Sequence, residues 1–209
     1  MEVFDSYPHL EDERLIIRKM DENDAEALGA LARSREVYRF EPTFLFEHKY
    51  DDPKEVIARM DAECFRTKNS ILCGVYLKEA PGTMTGIAEI YALEESKPKV
   101  SIGYRFREAY WGRGIATETC ALLKAYLIND AGVRTITAHV MPENPASAHV
   151  LIKNNFLKLF TNCPEDWGFP EPLMIDKYVF KRRWLTMSPE EIAEEVKGYP
   201  RPGSKGERS

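Results

Sequence analysis

The sequence predicts one domain of the α/β (α+β) class, in which a sheet is flanked by helices. The stretch 100–118, VSIGYRFREAYWGRGIATE, runs from an alternating apolar strand through a glycine turn directly into a helix. Before it, short apolar runs separated by turn residues follow one another from position 70, as in an antiparallel meander. A chain of 209 residues is long enough to bury a full core in a single domain.

The first predicted elements are a strand at 14–20 (RLIIRKM) and a helix that Asp21 caps. An aromatic, aperiodic stretch follows at 35–50, and we favour a loop that packs its aromatic side chains into the core over a substrate lid. These side chains are Tyr38, Phe40, Phe44 and Phe46. The next helix is predicted to have Asp52 as its cap and Pro53 at its first position.

Strands are predicted at 70–78 and 84–93, with a hairpin turn at 80–83 between them. A second turn at 94–99 leads into the strand 100–106. The meander therefore delivers the chain to the glycine turn.

The second half continues to alternate between helices and strands. The helix after the glycine turn is predicted to end at Gly132 in a left-handed cap, before a strand at 133–141. The next helix starts at Asn144 and ends at Asn154-Asn155, where the left-handed conformation costs asparagine little. The last two strands are predicted at 157–160 and 173–184.

The end of the chain is predicted to hold a short acidic helix starting at Ser188 and a disordered tail from Tyr199. We accordingly divide the chain into an N-terminal segment (1–13), one domain (14–185), and a short helix with its tail (186–209).

The charge balance disfavours nucleic acid as a partner. The net charge is −5 and the isoelectric point is near 5.5, whereas proteins that bind a phosphate backbone usually present a concentrated basic surface. A cationic or amine substrate is compatible with this balance.

The cysteines predict neither a metal site nor a disulfide framework. Cys64, Cys73, Cys120 and Cys163 lie far apart, without a Cys-x-x-Cys motif or a nearby histidine pair. We interpret them as free thiols in a reducing cytoplasm. The sequence has no signal-peptide pattern and no apolar run near the ~20 residues that span a bilayer, so we expect a cytoplasmic protein without a membrane partner.

The turn at Gly112 and Gly114 lies where a helix begins. Backbone N–H groups there lack helical partners and point out of the positive end of the helix dipole, which favours an anion such as a pyrophosphate. A tight turn that merely needs positive φ is an equally weighted interpretation. The Gly-Lys-Ser/Thr of a Walker loop and the third glycine of a dinucleotide fingerprint are missing.

Two blocks resemble the GNAT N-acetyltransferases, in the branch of the ribosomal-protein-alanine N-acetyltransferases (RimJ/RimL-like). In YWGRGIATE (110–118), the family's Gln/Arg-x-x-Gly-x-Gly/Ala pattern falls on Trp111, Gly114 and Ala116, and the tryptophan is typical of this branch. In the second block, VMPENPAS (140–147) followed by VLIKNNF (150–156) resembles the family's Asn-x-x-Ser helix.

The resemblance, over roughly 14–183, implies the GNAT fold, with a mixed, mostly antiparallel sheet of about seven strands. Strands 100–106 and 133–141 are implied to splay apart for acyl-CoA. Acetyl-CoA is the implied cosubstrate, with its pyrophosphate on the N–H groups of 111–116 and its pantetheine along the open strand edge. The expected cofactor-binding residues are Tyr104, Phe106, Trp111, Gly112, Arg113, Gly114, Ile115, Ala116, Asn144 and Ser147. The Arg113 side chain either adds a charge-assisted contact or is solvated.

The implied reaction is direct attack of a primary amine on the thioester, which requires a base. Glu89 is the main candidate because it is charged within an apolar run, where burial raises the pKa of a carboxyl. A rim glutamate or an ion pair is the alternative interpretation. His139 and Glu118 are weaker candidates.

The leaving thiolate requires a proton or a hydrogen bond. Many relatives place a tyrosine for this purpose where this chain has Leu151, so Ser147 is the substitute candidate, and Asn144 is expected to orient pantetheine. The alternative for Ser147 is a serine that only bonds the backbone at the start of its helix.

The sequence thus predicts an acetyl-CoA-dependent N-acetyltransferase whose acceptor is a protein N-terminal α-amine or a small-molecule amine. The alternatives are a non-catalytic acyl-CoA sensor or structural module, and an acetyltransferase of the antibiotic or polyamine type. Acidic Glu41 and Glu47 in the aromatic stretch suit an amphipathic amine. The protein is expected to be a monomer or homodimer.

Overall fold

One mixed sheet positions every other element of the chain. The computed structural model describes residues 3–199. Eight strands follow one another across the sheet in the order β1-β2-β3-β4-β5-β6-β8-β7. They are β1 Leu10–Glu11, β2 Leu15–Lys19, β3 Ser70–Leu77, β4 Ala80–Glu94, β5 Lys99–Phe106, β6 Thr135–Val140, β7 Leu157–Glu165 and β8 Leu173–Lys181. The α-helices are α1 Ala25–Ala32, α2 Pro53–Met60, α3 Ile115–Asn129, α4 Pro145–Lys153 and α5 Pro189–Lys197.

The sheet splits between β5 and β6. All other neighbouring strands are antiparallel, whereas β5 and β6 are parallel and pair only over Lys99–Ser101 and Thr135–Thr137. Beyond these residues β5 remains paired with β4 as far as Phe106, and β6 remains paired with β8 as far as Val140. Each strand therefore follows its outer neighbour, and a gap opens between them.

Alternation along the strands builds a core on each face of the sheet. On β3, Ile71, Cys73 and Val75 face the cluster that holds the buried side of α3, while Leu72 and Tyr76 face the cluster under α1 and α2. Both sets are excluded from water, and such burial is the main source of folded-state stability.

The predicted class, the meander and most helix boundaries are confirmed. Asp21 forms a capping box, Asn155 has a φ of +63° after α4, and Gly132 has a φ of +70° after α3. The sheet has eight strands rather than about seven, because the two-residue strand β1 is too short to produce a periodic pattern.

Three predicted boundaries are wrong. The hairpin turn is Lys78-Glu79 rather than 80–83, since Ala80 already pairs with Leu77. Gly82 lies within β4, where a Cβ atom would meet no other atom. Strand β7 extends past 160 to Glu165. It lies at the edge of the sheet, where most of its polar residues are exposed, and its pairing with β8 contains register shifts. Strand β8 stops at Lys181, because the chain turns into a 3₁₀ segment at Arg182–Thr186.

The C-terminal helix α5 packs back onto the domain. Glu195 accepts hydrogen bonds from Lys181 Nζ at 3.0 Å and from Trp184 Nε1 at 3.2 Å. Tyr199, where the disordered tail was predicted to begin, donates its hydroxyl to Glu195 and lies edge-on to Phe160 at 6.0 Å between ring centroids. The rest of the predicted tail, 200–209, lies outside the described residues. Within residues 3–199, no helix is both long and apolar enough to cross a membrane.

Candidate active site

The glycine loop, residues 110–116, joins β5 to α3. Gly112 and Gly114 have φ values of +71° and +80°, a conformation that other residues rarely adopt, so the predicted left-handed turn is present. None of the backbone N–H groups from 112 to 116 donates a hydrogen bond to a described residue. These adjacent donors at the start of α3 form the cradle that an anion requires.

The N–H of Trp111 does not belong to this cradle, contrary to the prediction. It donates to the carbonyl of Glu108 at 3.0 Å, because the loop begins with a 3₁₀ turn. The indole Nε1 of Trp111 donates to the carbonyl of Phe106 at 2.7 Å, so this side chain ties the loop to the end of β5.

Arg14, which directly precedes β2, holds the loop through its side chain. Its guanidinium binds the carbonyl of Arg113 at 2.9 Å and the carboxylate of Glu118 at 2.7 Å. The Arg113 side chain pairs with Glu79 at 3.1 Å in an exposed position. Glu118 thus faces the loop and does not line the larger cavity, where an amine has room.

The unpaired edge of β5 carries Tyr104 and Phe106 beside the gap in the sheet. Phe106 is buried in the core, while Tyr104 is partly exposed and its hydroxyl contacts Ser147, with 3.2 Å between the two oxygens. Asn144 caps α4 by accepting the N–H of Ser147 at 3.1 Å. No sequence pattern indicates that Tyr104 and Ser147 meet, because they lie on separate elements. Leu151, at the position of the relatives' tyrosine, is buried in the core.

A buried cluster around Arg105, the carboxylate cluster, lies on the opposite face of β5. The guanidinium binds both oxygens of Glu47 and donates from Nη1 to Glu89 at 2.8 Å. Tyr38 donates to Glu47 at 2.7 Å. Register explains the contact with Glu89, since Glu89 opposes Gly103 and Ile87 opposes Arg105 on the paired strands. The ion-pair interpretation of Glu89 is therefore present in the structure.

Burial and the arginine act against one another in this cluster. Burial raises the pKa of Glu89 above its ordinary value, and Arg105 opposes that rise. Burial also disfavours ionisation of Glu47, but the two-point contact with Arg105 outweighs it, so the pKa of Glu47 is lowered. Sequence reasoning missed Arg105, although a charge in an apolar alternating strand was the signal that singled out Glu89.

Glu41 lies beside this cluster without being bonded into it. Its carboxylate makes no hydrogen bond or ion pair with any residue in the described part of the chain. Burial, reinforced by the charges of Glu47 and Glu89 and opposed by Arg105, raises the pKa of Glu41 to about 8.

His139 on β6 also faces the gap, but its ring is engaged. Its Nδ1 lies 3.0 Å from Glu165, which also pairs with Lys177. Burial disfavours the charged form of Glu165, yet these hydrogen bonds prevail and lower its pKa to about 2. Glu165 is thus a fixed anion that orients the histidine.

Two cavities meet at the split in the sheet. The sheet cavity, about 750 Å³, lies between the loop 40–49, β4, β5 and the end of β6. The loop cavity, about 530 Å³, lies between the glycine loop and α4. The residues that line both are Phe40, Glu41, Tyr104, Arg105, Asn144 and Ser147. Ligands in the two cavities would therefore approach each other at Ser147 and Tyr104.

The aromatic stretch 35–50 forms one wall of the sheet cavity rather than only core. Tyr38 and Phe46 pack against buried residues as predicted, but Phe44 is 65% exposed. Thr43 explains this placement, because its N–H binds the carbonyl of Trp167 at 2.9 Å and holds the stretch over the cavity.

The four cysteines are free thiols, as predicted, and the structure shows that all four are buried. Among residues 3–199, no group of histidine, cysteine and acidic side chains is arranged to hold a metal ion.

A split sheet with a glycine loop at its open edge and two joined cavities suits an enzyme that brings an acyl donor to an acceptor. The chain matches the acetyltransferase (GNAT) domain family over residues 14–157 and belongs to that family. The protein is accordingly an N-acetyltransferase.

Individual relatives agree with this assignment. The chain is 28% identical over 154 residues to the uncharacterized N-acetyltransferase YoaA of Bacillus subtilis (strain 168), covering 73% of this chain and 84% of that protein. RimJ of Mycobacterium smegmatis, solved with a CoA disulfide, has a TM-score of 0.71 at 19% identity over 91% of this chain and 94% of its own. RimL, a ribosomal L7/L12 α-N-protein acetyltransferase solved with coenzyme A, has a TM-score of 0.68 at 16% identity, covering 81% of this chain and 95% of its own. The two structures support the fold.

Proposed function

We propose that the protein transfers the acetyl group of acetyl-CoA directly to a primary amine, with the donor in the loop cavity and the amine in the sheet cavity. The observation that carries this proposal is the meeting of the two cavities at Ser147 and Tyr104, beside a cluster of carboxylates. Direct transfer requires that donor and acceptor be held together, and such positioning accounts for much of the rate.

The glycine loop fits the pyrophosphate of acetyl-CoA. The unbonded N–H groups of Gly112, Arg113, Gly114, Ile115 and Ala116 are the donors, and the exposed Arg113 side chain pairs with Glu79. Trp111 holds the loop through its indole rather than through its N–H.

Pantetheine would pair with the open edge of β5, as a strand added to a sheet. Tyr104 and Phe106 lie on this strand, and Asn144 and Ser147 approach it from α4. The amide nitrogen of Asn144 makes no hydrogen bond to a described residue, so it is available to orient the ligand. Acetyl-CoA supplies the thioester in this arrangement.

Two proton transfers complete the reaction. The amine must lose a proton before it attacks, and we propose that a carboxylate beside Arg105 receives it, with Glu89 as the sequence-derived candidate. The departing sulfur must gain a proton, and the hydroxyl of Ser147, bonded to that of Tyr104, is the proposed donor. Burial raises the pKa of Tyr104, which keeps this hydroxyl protonated.

The acceptor is proposed to be an N-terminal α-amine or a small amine. The sheet cavity combines aromatic walls with the acidic side chains of Glu41, Glu63 and Glu89, which suits an amine attached to an apolar group. RimL, of the same fold, acts on a protein α-amine, and this supports the first class. We also propose the cytoplasm as the location, supported by the four unbridged cysteines, and a monomer or homodimer as the state.

The test is thiol release from acetyl-CoA with a panel of N-terminal peptides, polyamines and aminoglycosides, together with calorimetric binding of acetyl-CoA and CoA. We expect turnover above background hydrolysis on one class of amine. If acetyl-CoA and CoA bind equally tightly and no amine is acetylated, the result would support the sensor interpretation instead. If a small amine is acetylated, adding N-terminal peptides distinguishes the two acceptor classes. Peptides that inhibit its acetylation would indicate that the site binds a protein N-terminus.

A further inference from the structure

We propose that Glu41 is the residue that removes the proton from the acceptor amine, and that Glu89 instead positions Arg105. This inference rests on the proposed function and names a residue within it. Of the carboxylates that line either cavity in the described chain, Glu41 alone lines both. It therefore lies where the nitrogen of a bound amine would meet the acetyl group.

The other acidic side chains of the sheet cavity are already committed. Glu89 is bound to Arg105 at 2.8 Å, Glu63 accepts the hydroxyl of Tyr50 at 2.7 Å, and Glu165 holds His139 and Lys177. Asp166 accepts the N–H of Gly168 at 2.9 Å. Glu41 has no such bond to any residue from 3 to 199, so its oxygens can accept a proton without breaking an ion pair among them.

The charges around Glu41 suit this task. The groups that act on it are Arg105, Glu47 and Glu89, and the phenols of Tyr91 and Tyr104 also interact with it. Glu47 satisfies two donors of Arg105 and Glu89 a third, so the guanidinium is largely neutralised before it can stabilise Glu41 as an anion. The resulting pKa of about 8 matches that of an α-amine at ~7.7–8.0, the range in which a base works best near neutral pH.

The reaction moves two protons from the acceptor nitrogen. Ionised Glu41 takes one proton from the ammonium group and later releases it to water. The nitrogen lone pair then forms the C–N bond and the C–S bond breaks. The departing sulfur takes the proton of the Ser147 hydroxyl. The nitrogen loses its second proton as the amide forms, and this proton restores the Ser147 hydroxyl.

The experiment compares Glu41→Gln with Glu89→Gln and with Glu26→Gln, an exposed residue of α1 that lines neither cavity. The pH dependence of kcat is measured with two acceptors whose ammonium pKa values differ. In the unmodified protein we expect an acid limb near pH 8 that does not move with the acceptor. Glu41→Gln should lose this limb and about 100-fold in kcat, with acetyl-CoA affinity nearly unchanged. Glu89→Gln should keep the limb, and Glu26→Gln should match the unmodified protein.

Loss of the limb in Glu89→Gln but not in Glu41→Gln would overturn the proposal. So would equal losses of kcat and acetyl-CoA affinity in Glu41→Gln, since that would indicate a structural role.

A second readout does not need turnover. The side-chain carboxyl carbon of Glu41, labelled with ¹³C and assigned by its loss in Glu41→Gln, should titrate near pH 8 with CoA bound. Titration below about pH 6 would overturn the proposal even in an active enzyme. If Glu41 titrates as expected but no amine is acetylated, the proposed function itself fails and its base assignment with it.

Discussion

The glycine loop and the carboxylate cluster flank the same gap in the sheet, but they are built in opposite ways. The loop is one continuous segment, exposed from 111 to 114, with its N–H groups from 112 to 116 unbonded to described residues. The cluster brings Glu47, Glu89 and Arg105 together from distant positions, buries them and bonds them to one another.

This difference has a physical reason. Unbonded N–H groups at an exposed helix start are solvated by water and remain available to a ligand at little cost. A buried guanidinium cannot be left in that condition, because an unpaired charge in the protein interior is strongly unfavourable. The loop is thus ready for a ligand, whereas the cluster is complete without one, and Glu41 beside it is bonded to no described residue.

The largest expected effect comes from breaking the cluster. Arg105→Met leaves Glu47 buried without its cation, so we expect the free energy of unfolding to fall by about 3–5 kcal/mol. The control Arg113→Met removes an exposed pair with Glu79 in the loop and should cost less than about 1 kcal/mol. Denaturant unfolding of both variants measures this contrast, and similar losses would contradict it.

Ser147 tests the junction between the two regions. We expect Ser147→Ala to lower kcat about 100-fold, because the departing thiolate loses its proton donor. The loss should shrink with an acetyl thioester of a more acidic thiol, which needs no proton to leave. A loss that stays constant across thioesters would contradict the role of Ser147 as the proton donor.

The loop responds to a change in backbone freedom. Gly114→Ala places a side chain at a φ of +80°, which costs about 1–2 kcal/mol and disturbs the N–H cradle, so acetyl-CoA affinity should fall about 10-fold. Acetyl-pantetheine, which lacks the pyrophosphate, should bind the variant as well as the unmodified protein. Gly82→Ala, in open space on β4, is the matched control. An equal loss for acetyl-pantetheine would show that the loop does not hold the pyrophosphate.

The last expected effect is the pH dependence of stability at Glu41. The folded protein keeps this proton up to about pH 8, whereas the unfolded chain releases it near 4.5. Between these values the folded state binds more protons, so this carboxyl makes the free energy of unfolding fall as the pH rises. Glu41→Gln should therefore gain stability relative to the unmodified protein as the pH rises from 5 to 9. A difference that is flat across this range would contradict the raised pKa.

Prediction from sequence succeeded where the signal is local. The alternation in β5, the cap at Asp21 and the left-handed turn at Gly112 and Gly114 each depend on a few adjacent residues, and all are present. Prediction failed where contacts outside the local pattern determine the position of a residue. Phe44 is exposed because Trp167 holds the neighbouring Thr43, and the N–H of Trp111 is occupied because a 3₁₀ turn precedes it.

The sequence by itself determined the class of fold, the glycine loop and the resemblance to acetyltransferases, since backbone preferences and motif spacing act over short stretches of chain. Only the tertiary structure decided which carboxylates Arg105 neutralises and that Glu41, at the junction of the cavities, is bonded to none of the described residues. The reason is that the charge state of a buried group depends on its neighbours in space, and the pairing of β4 with β5 and the path of the loop 40–49 bring those neighbours together.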